Sequence, residues 1–157
     1  MKRKLYSFLT LLCTIVLLCG CSLTGFIGKD DSSSVASSTE TEASVQASVV
    51  ESTGTMVVLK VEKAEEDTTL IEVMELLKAE NKLDYKITAG MASEINGVAN
   101  PADFSSCWML FTSDAELSNT AWGTVEYGGA THGSAIVGAE ALTVIAGAYY
   151  IWSYQSF

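Results

Sequence analysis

The chain has 157 residues, enough for one domain of ordinary size, and carries 9 Lys+Arg against 19 Asp+Glu, a formal net charge of -10. That balance excludes nucleic acid as an expected partner, because phosphate binding needs a basic face. A single His and a single Pro leave little material for His-based catalysis or a metal cage, whereas the 48% hydrophobic content excludes wholesale disorder.

Lys2, Arg3 and Lys4 precede a 14-residue apolar run from Leu5 to Leu18, short of the roughly 20 residues a spanning helix requires. The run reads as a secretory signal peptide over residues 1–20. Leu18-Cys19-Gly20-Cys21 resembles a bacterial lipobox, so Cys21 is the expected lipidation site, held at the outer face of the cell membrane. The plainer alternative is an ordinary cleaved signal with incidental cysteines. The chain from Cys21 onward has 137 residues, six lysines, 19 acids and no arginine, a net of -13. Without a guanidinium it has no bidentate clamp for carboxylate or phosphate, which disfavours anionic small ligands. Cys107 is left without an intrachain partner and reads as a buried small hydrophobe.

Residues 21–54 read as a lipidated Cys followed by a flexible Ser/Thr/Glu spacer. The stretch DSSSVASSTETEASVQASVVESTG has no aromatic, no Leu and no periodic apolar face with which to offset ordering entropy. The folded domain is then expected over 55–157. Met56 to Glu62 alternates as a first strand. Thr69 with Glu72 fits a capping box, and Leu70, Val73, Met74 and Leu77 form the buried stripe of the helix that follows, ending near Asn81 or Lys82. Tyr85 to Thr88 and Met91 to Ile95 predict a hairpin, with Asn96-Gly97 turning the chain. Strands are predicted at Cys107 to Thr112, Gly123 to Tyr127, Ser134 to Val137, Ala141 to Ile145 and Tyr149 to Tyr154, separated by glycines. One early helix with many short strands predicts an α+β fold, the helix covering one face of a mixed or antiparallel sheet.

This order of pieces resembles the DUF4430 family of secreted bacterial domains, through the helix start Asp67-Thr68-Thr69-Leu70-Ile71-Glu72-Val73-Met74, the strand Cys107-Trp108-Met109-Leu110-Phe111 and the final Tyr149-Tyr150-Ile151-Trp152-Ser153-Tyr154. That family is similar to the carboxy-terminal β-domain of transcobalamin and intrinsic factor. The resemblance spans most of residues 56–154. It implies a β-grasp-like fold and binding of cobalamin or a related corrinoid, with no further cofactor. The animal carriers close their clamp with a large helical domain. The resemblance therefore implies a second clamp protein or a vitamin-uptake transporter as partner.

No nucleotide-binding, P-loop, C-x-x-C or H-E-x-x-H motif occurs, and no nucleophile–base–orienter set assembles around the single His132, so an enzyme is not expected. Glu65, Glu66 and Asp67 read as solvated acids before a helix, and Glu72 and Glu75 as its wet face. His132, in Gly128-Gly129-Ala130-Thr131-His132-Gly133, reads first as a solvated loop histidine and second as an axial ligand to a corrin cobalt or a pH-sensitive contact. Eleven of the 14 aromatics lie between Tyr85 and Phe157, and Tyr150, Trp152 and Tyr154 share one face of the last strand. A sheet cannot bury both faces of that strand under one helix. The expected ligand site is therefore aromatic: Trp122, Tyr127 and His132 of a long loop, 119–133, beside Tyr150, Trp152 and Tyr154, with no metal. Core packing accounts for most aromatics in sheets. The alternative function is a protein- or glycan-interaction module on the cell surface.

Overall fold

The computed structural model describes residues 45–157 other than Ala89. The expected signal peptide, Cys21 and the first part of the spacer lie outside the described residues. From there the chain forms β1 (Gln46–Ser52), β2 (Met56–Lys63), α1 (Leu70–Ala79), β3 (Tyr85–Thr88), β4 (Met91–Ile95), β5 (Val98–Ala99), β6 (Ser106–Thr112), β7 (Ser118–Tyr127), β8 (Ala130–Ala135) and β9 (Tyr149–Ser156). A six-stranded sheet runs β1-β2-β9-β6-β8-β7 and a three-stranded sheet runs β3-β4-β5. Each of these pairings is antiparallel. The fold is α+β, mostly antiparallel sheet with one short helix.

The expected spacer ends earlier than Gly54. β1 pairs with β2 from Gln46↔Lys63 to Ser52↔Val57, and Val45, Ala47 and Val49 pack on the core. Composition hid this strand because its polar Gln46, Glu51 and Ser52 are exposed, and an edge strand needs only one modest apolar row when its neighbour supplies the rest.

The helix begins as its sequence predicts. The Glu72 carboxylate accepts the Thr69 backbone N–H at 2.7 Å and the Thr69 hydroxyl at 2.8 Å, and Leu70, Val73, Met74 and Leu77 are buried. Its first free amides find partners far along the chain. Leu70 N–H donates to the Leu142 carbonyl and Ile71 N–H to that of Ala139. The segment expected as a strand at Ala141 to Ile145 is therefore irregular, touching the helix start through the single bridge Thr69↔Thr143. It has given up ladder pairing to satisfy a helix terminus.

The two sides of the large sheet are covered differently. Val57, Leu59, Val61, Trp108, Leu110, Tyr150 and Trp152 pack beneath α1, the small sheet and Ala139, Leu142, Val144 and Ala148. Val58, Phe111, Val125 and Ile151 form a separate cluster on the opposite side, flanked by Met56, Met109, Tyr127 and Tyr149. Among the described residues no second helix covers them. The Tyr127 and Tyr149 rings meet edge to face at 5.4 Å between centroids, although their strands are three places apart in the sheet order. A flat sheet would separate such strands by about 14 Å, three times the usual spacing. The sheet therefore curls on itself and covers its own far side.

Candidate functional site

The residues expected to share one aromatic site are divided between the two sides. Tyr150 is fully buried on the helix side, and its hydroxyl oxygen accepts the Ile145 N–H at 2.9 Å. Burial pushes this phenol above its ordinary pKa. Trp152 is buried beside it. Tyr154 is half-buried, edge-on to Trp108 at 5.3 Å, and donates its hydroxyl to the Ala99 carbonyl at 3.1 Å. Tyr127 lies on the opposite side, where burial first and then the charge of Glu51 raise its phenol. Trp122 is 60% exposed.

The expected loop 119–133 is instead the hairpin β7–β8, turned by Gly128 and Gly129 at φ 58° and 79°. Both turn residues at positive φ are what a tight hairpin needs, and Gly supplies them without strain. Strand β7 carries an irregular stretch between Asn119 and Thr124, and the apparent break in its apolar alternation there is what makes the segment read as a loop. His132 consequently sits in a strand. It is buried, with Nε2 at 3.1 Å from the Tyr127 carbonyl oxygen, so that nitrogen is engaged by the backbone across its own hairpin. A solvated loop role does not fit, and an axial-ligand role would fall to Nδ1, because Nε2 donates to the Tyr127 carbonyl.

The carboxylates considered for acid–base work have structural partners. Glu72 binds the helix start, which lowers its pKa through the Thr69 backbone bond first and the hydroxyl second. Glu75 accepts the Tyr85 hydroxyl at 2.6 Å, while Lys78 lies over the Tyr85 ring at 4.9 Å. Desolvation, with the Glu75 bond second, pushes the Tyr85 phenol strongly upward. Glu65, Glu66, Asp67 and Glu72 border one open depression, yet among the described residues no group of three or more potential metal ligands converges.

What does converge is a pair of clefts on either side of Met91, which is 53% exposed. One, of about 310 Å³, is bounded by Thr88, Ser93, Asn100, Pro101 and Phe104, and Phe104 is 59% exposed. Asn100 holds its wall in place. Its amide donates to the Ala92 carbonyl at 2.8 Å and its carbonyl accepts the Trp108 N–H at 3.1 Å. The second cleft, of about 150 Å³, lies between β4 and the β6–β8–β9 part of the large sheet and is lined by Cys107, Met109, Leu110, Ser134 and Trp152. Burial raises the Cys107 thiol, which disfavours the reactive thiolate.

Among the described residues Trp152 Nε1 is the buried side-chain polar atom without a hydrogen-bond partner. The other indoles differ. Trp108 Nε1 donates to the Val98 carbonyl at 2.8 Å, and Trp122 is open to water. A buried donor left unpaired costs about 1–3 kcal/mol. Sequence reasoning singled out Trp152 but not this cleft. The wall of the larger cleft, from Asn100 to Phe104, holds a single aromatic with no periodic pattern around it, so nothing local marks it as a site.

Compared with known proteins, the chain matches no family model, no curated protein and no solved structure.

Proposed function

We propose that this protein is a non-catalytic ligand-binding module of the cell surface, anchored to the membrane through lipid on Cys21. The observation that carries the binding role is the open cleft beside Met91, where two large apolar side chains, Met91 and Phe104, stand more than half exposed around about 310 Å³ of uncharged space. Exposing such side chains together is costly unless something covers them. The lipobox-like Leu18-Cys19-Gly20-Cys21 supports the anchor.

The specific ligand proposed is cobalamin or a related corrinoid, on the resemblance to the DUF4430 and transcobalamin-type domains. A β-grasp-like arrangement is the finer reading of the fold, supported by the single helix that follows β2 and packs on one side of the sheet. A flat macrocycle would lie across the Met91–Phe104 rim rather than enter either cleft. A vitamin-uptake transporter or a second clamp protein would then cover its outer face. One face alone buries less of such a ligand than an enclosure, so affinity no better than about micromolar, near -8 kcal/mol, is expected. Equilibrium dialysis of the full chain against cobalamin and cobinamide tests this. Binding weakened at least five-fold by Phe104→Ala supports the reading, and no binding at high micromolar concentration overturns the corrinoid assignment.

The second reading, a protein- or glycan-interaction module, is favoured by the β7 edge of the large sheet. There β7 is an outer strand and displays Trp122. An outer strand with an exposed aromatic is a ready surface for pairing with another chain.

A further inference from the structure

We infer that this chain docks onto copies of itself, the Trp122 indole of one copy seating in the larger cleft, between Met91 and Phe104, of the next. This deepens the interaction reading by naming the partner. It rests on that reading in treating Trp122 as a contact residue, and on the Cys21 anchor to concentrate copies. Trp122 is displayed by a built feature. Asn119 pairs with Ser134 and Thr124 with Gly133, so residues 120–123 leave the β7 ladder together. The excursion is held at both ends. At its start, the Asn119 side-chain carbonyl accepts the Ala121 N–H at 2.9 Å. Gly133 lies so close that a Cβ there would stand 3.1 Å from both the Asn119 carbonyl carbon and the Thr120 nitrogen. At its end, Gly123 takes φ 133°, with the Phe111 ring 3.8 Å from where a Cβ would be. Irregularities of this kind re-aim side chains from a strand, and here the excursion holds an indole 60% exposed.

The cleft matches that indole in size and charge. Its volume of about 310 Å³ is at the lower end of the roughly 300–1,000 Å³ usual for ligand pockets, room for one large ring system. Its lining includes Thr88, Met91, Ser93, Pro101 and Phe104 and, among the described residues, no charged side chain. The Ser93 hydroxyl donates to the Lys86 carbonyl at 3.1 Å, so the Thr88 hydroxyl donates in the 3.2 Å bond between Thr88 and Ser93 and its oxygen keeps accepting capacity. An indole N–H suits that acceptor, whereas a phenyl ring would leave it unused. A cationic anchor would find no counter-ion in the cleft. A membrane is disfavoured as the seat for Trp122, because a chain of net -13 from Cys21 onward is repelled by an anionic leaflet. A second copy carries the same charge, so the contact must be uncharged on both sides, as Trp122 and the cleft are. Indole and cleft share no element, which makes the contact heterologous, head to tail. One indole buries about 150–250 Å², well short of the roughly 800 Å² per partner of a stable complex. Docking is therefore weak in free solution and belongs to copies gathered on one membrane. The corrinoid would cover the same rim, so the two occupants exclude each other.

The test puts photoreactive benzoylphenylalanine in place of Trp122 in the full chain, which keeps an aromatic side chain there, and irradiates membranes of the producing cells. Crosslinked copies of this chain are expected, with the crosslink mapped by mass spectrometry to residues 88–104. Phe104→Asp and Met91→Asp, at side chains more than half exposed, should each reduce that crosslink about five-fold or more. The same probe at Ile145, which is also exposed, measures chance encounters and should reach residues 88–104 at least about five-fold less often. Direction is read from two differently tagged copies expressed together, one carrying the probe with Phe104→Asp and the other Trp122→Ala. The probe-bearing copy should capture the other copy and not its own kind. Equal capture of its own kind, a crosslink mapping elsewhere on the chain, or a yield unchanged by both Asp variants overturns the proposal. If neither Asp variant accumulates, the mapped position of the crosslink decides alone. A crosslink to a different protein in place of this chain overturns self-docking and leaves the interaction reading standing. No crosslink to any protein removes both.

Discussion

The helix side and the curled side of the large sheet bury comparable strands by different means. On the helix side, cover comes from elsewhere in the chain: α1, the β3–β4–β5 sheet and residues 139–148. On the curled side, cover comes from the sheet itself, through Tyr127 and Tyr149 closing over Val58, Phe111 and Ile151. The first arrangement leaves seams where separate elements meet, and both clefts beside Met91 lie along the β4 seam. The second is a continuous surface whose neighbours are fixed by backbone ladders. Open space in this molecule thus lies along the small sheet, where separately folded elements meet.

The largest expected effect comes from removing β1, whose apolar row packs on the helix side. β1 pairs along β2, whose Val57, Val58, Leu59 and Val61 are fully buried. A chain beginning at Thr55 exposes that strand's flank and loses the packing of Val45, Ala47 and Val49. Its thermal midpoint should fall by about 20 °C or more relative to a chain beginning at Val45, at about 4–8 °C per kcal/mol for a domain of this size. Equal midpoints would mean that β1 contributes nothing to the fold.

A smaller pair of effects sharpens the contrast between sides. Leu59 and Ile151 are both fully buried, Leu59 under the helix and Ile151 within the curl. Truncation of such residues to Ala costs about 2–5 kcal/mol, and the value depends on how far the surroundings collapse into the cavity. Leu59 is enclosed by elements tied together through the helix-start bonds to Leu142 and Ala139, which resist collapse. The curled side can tighten by increasing its curvature. Leu59→Ala is therefore expected near the upper end of that range and Ile151→Ala near the lower, read from urea unfolding at matched slopes. The reverse order would show the curl to be the stiffer side.

These differences explain how much was legible beforehand. Val57, Leu59 and Val61, the stripe Leu70, Val73, Met74 and Leu77, and the Asn96-Gly97 turn all follow from periodicity and turn chemistry, which are local. The sequence places Tyr150 and Trp152 on an open face because one helix cannot cover both faces of β9, and curvature, which resolves that conflict, leaves no period in the residues. β1 was hidden by its Ser and Glu composition, and β7 by an irregularity that interrupts its alternation. Met91, Leu110 and Trp152 border one cleft only because β4 lies over β6 and β9, a juxtaposition set by tertiary packing.

The smallest expected effect concerns acid. Glu72 is tied to Thr69 on the helix side, and its carboxyl pKa lies below the ordinary value because the Thr69 N–H and hydroxyl bind the charged form. A carboxyl depressed in the folded state adds stability that is fully present above its unfolded pKa and is lost as pH falls through the folded one. Glu72→Gln retains an acceptor but removes the charge. The variant should be less stable than the parent at neutral pH, and the difference should shrink steadily as pH drops through the carboxylate range. Asp84 and Asp103 carry depressed pKa values of their own, so the overall acid sensitivity of the domain should persist in the variant while the Glu72 share disappears. Thr69→Ala removes the hydroxyl but keeps the backbone bond, which is the larger contributor to the Glu72 shift. Its stability curve should therefore retain most of the parent's dependence on pH at this site. A Thr69→Ala curve as flat as that of Glu72→Gln would place the whole linkage in the side chain and overturn that ranking.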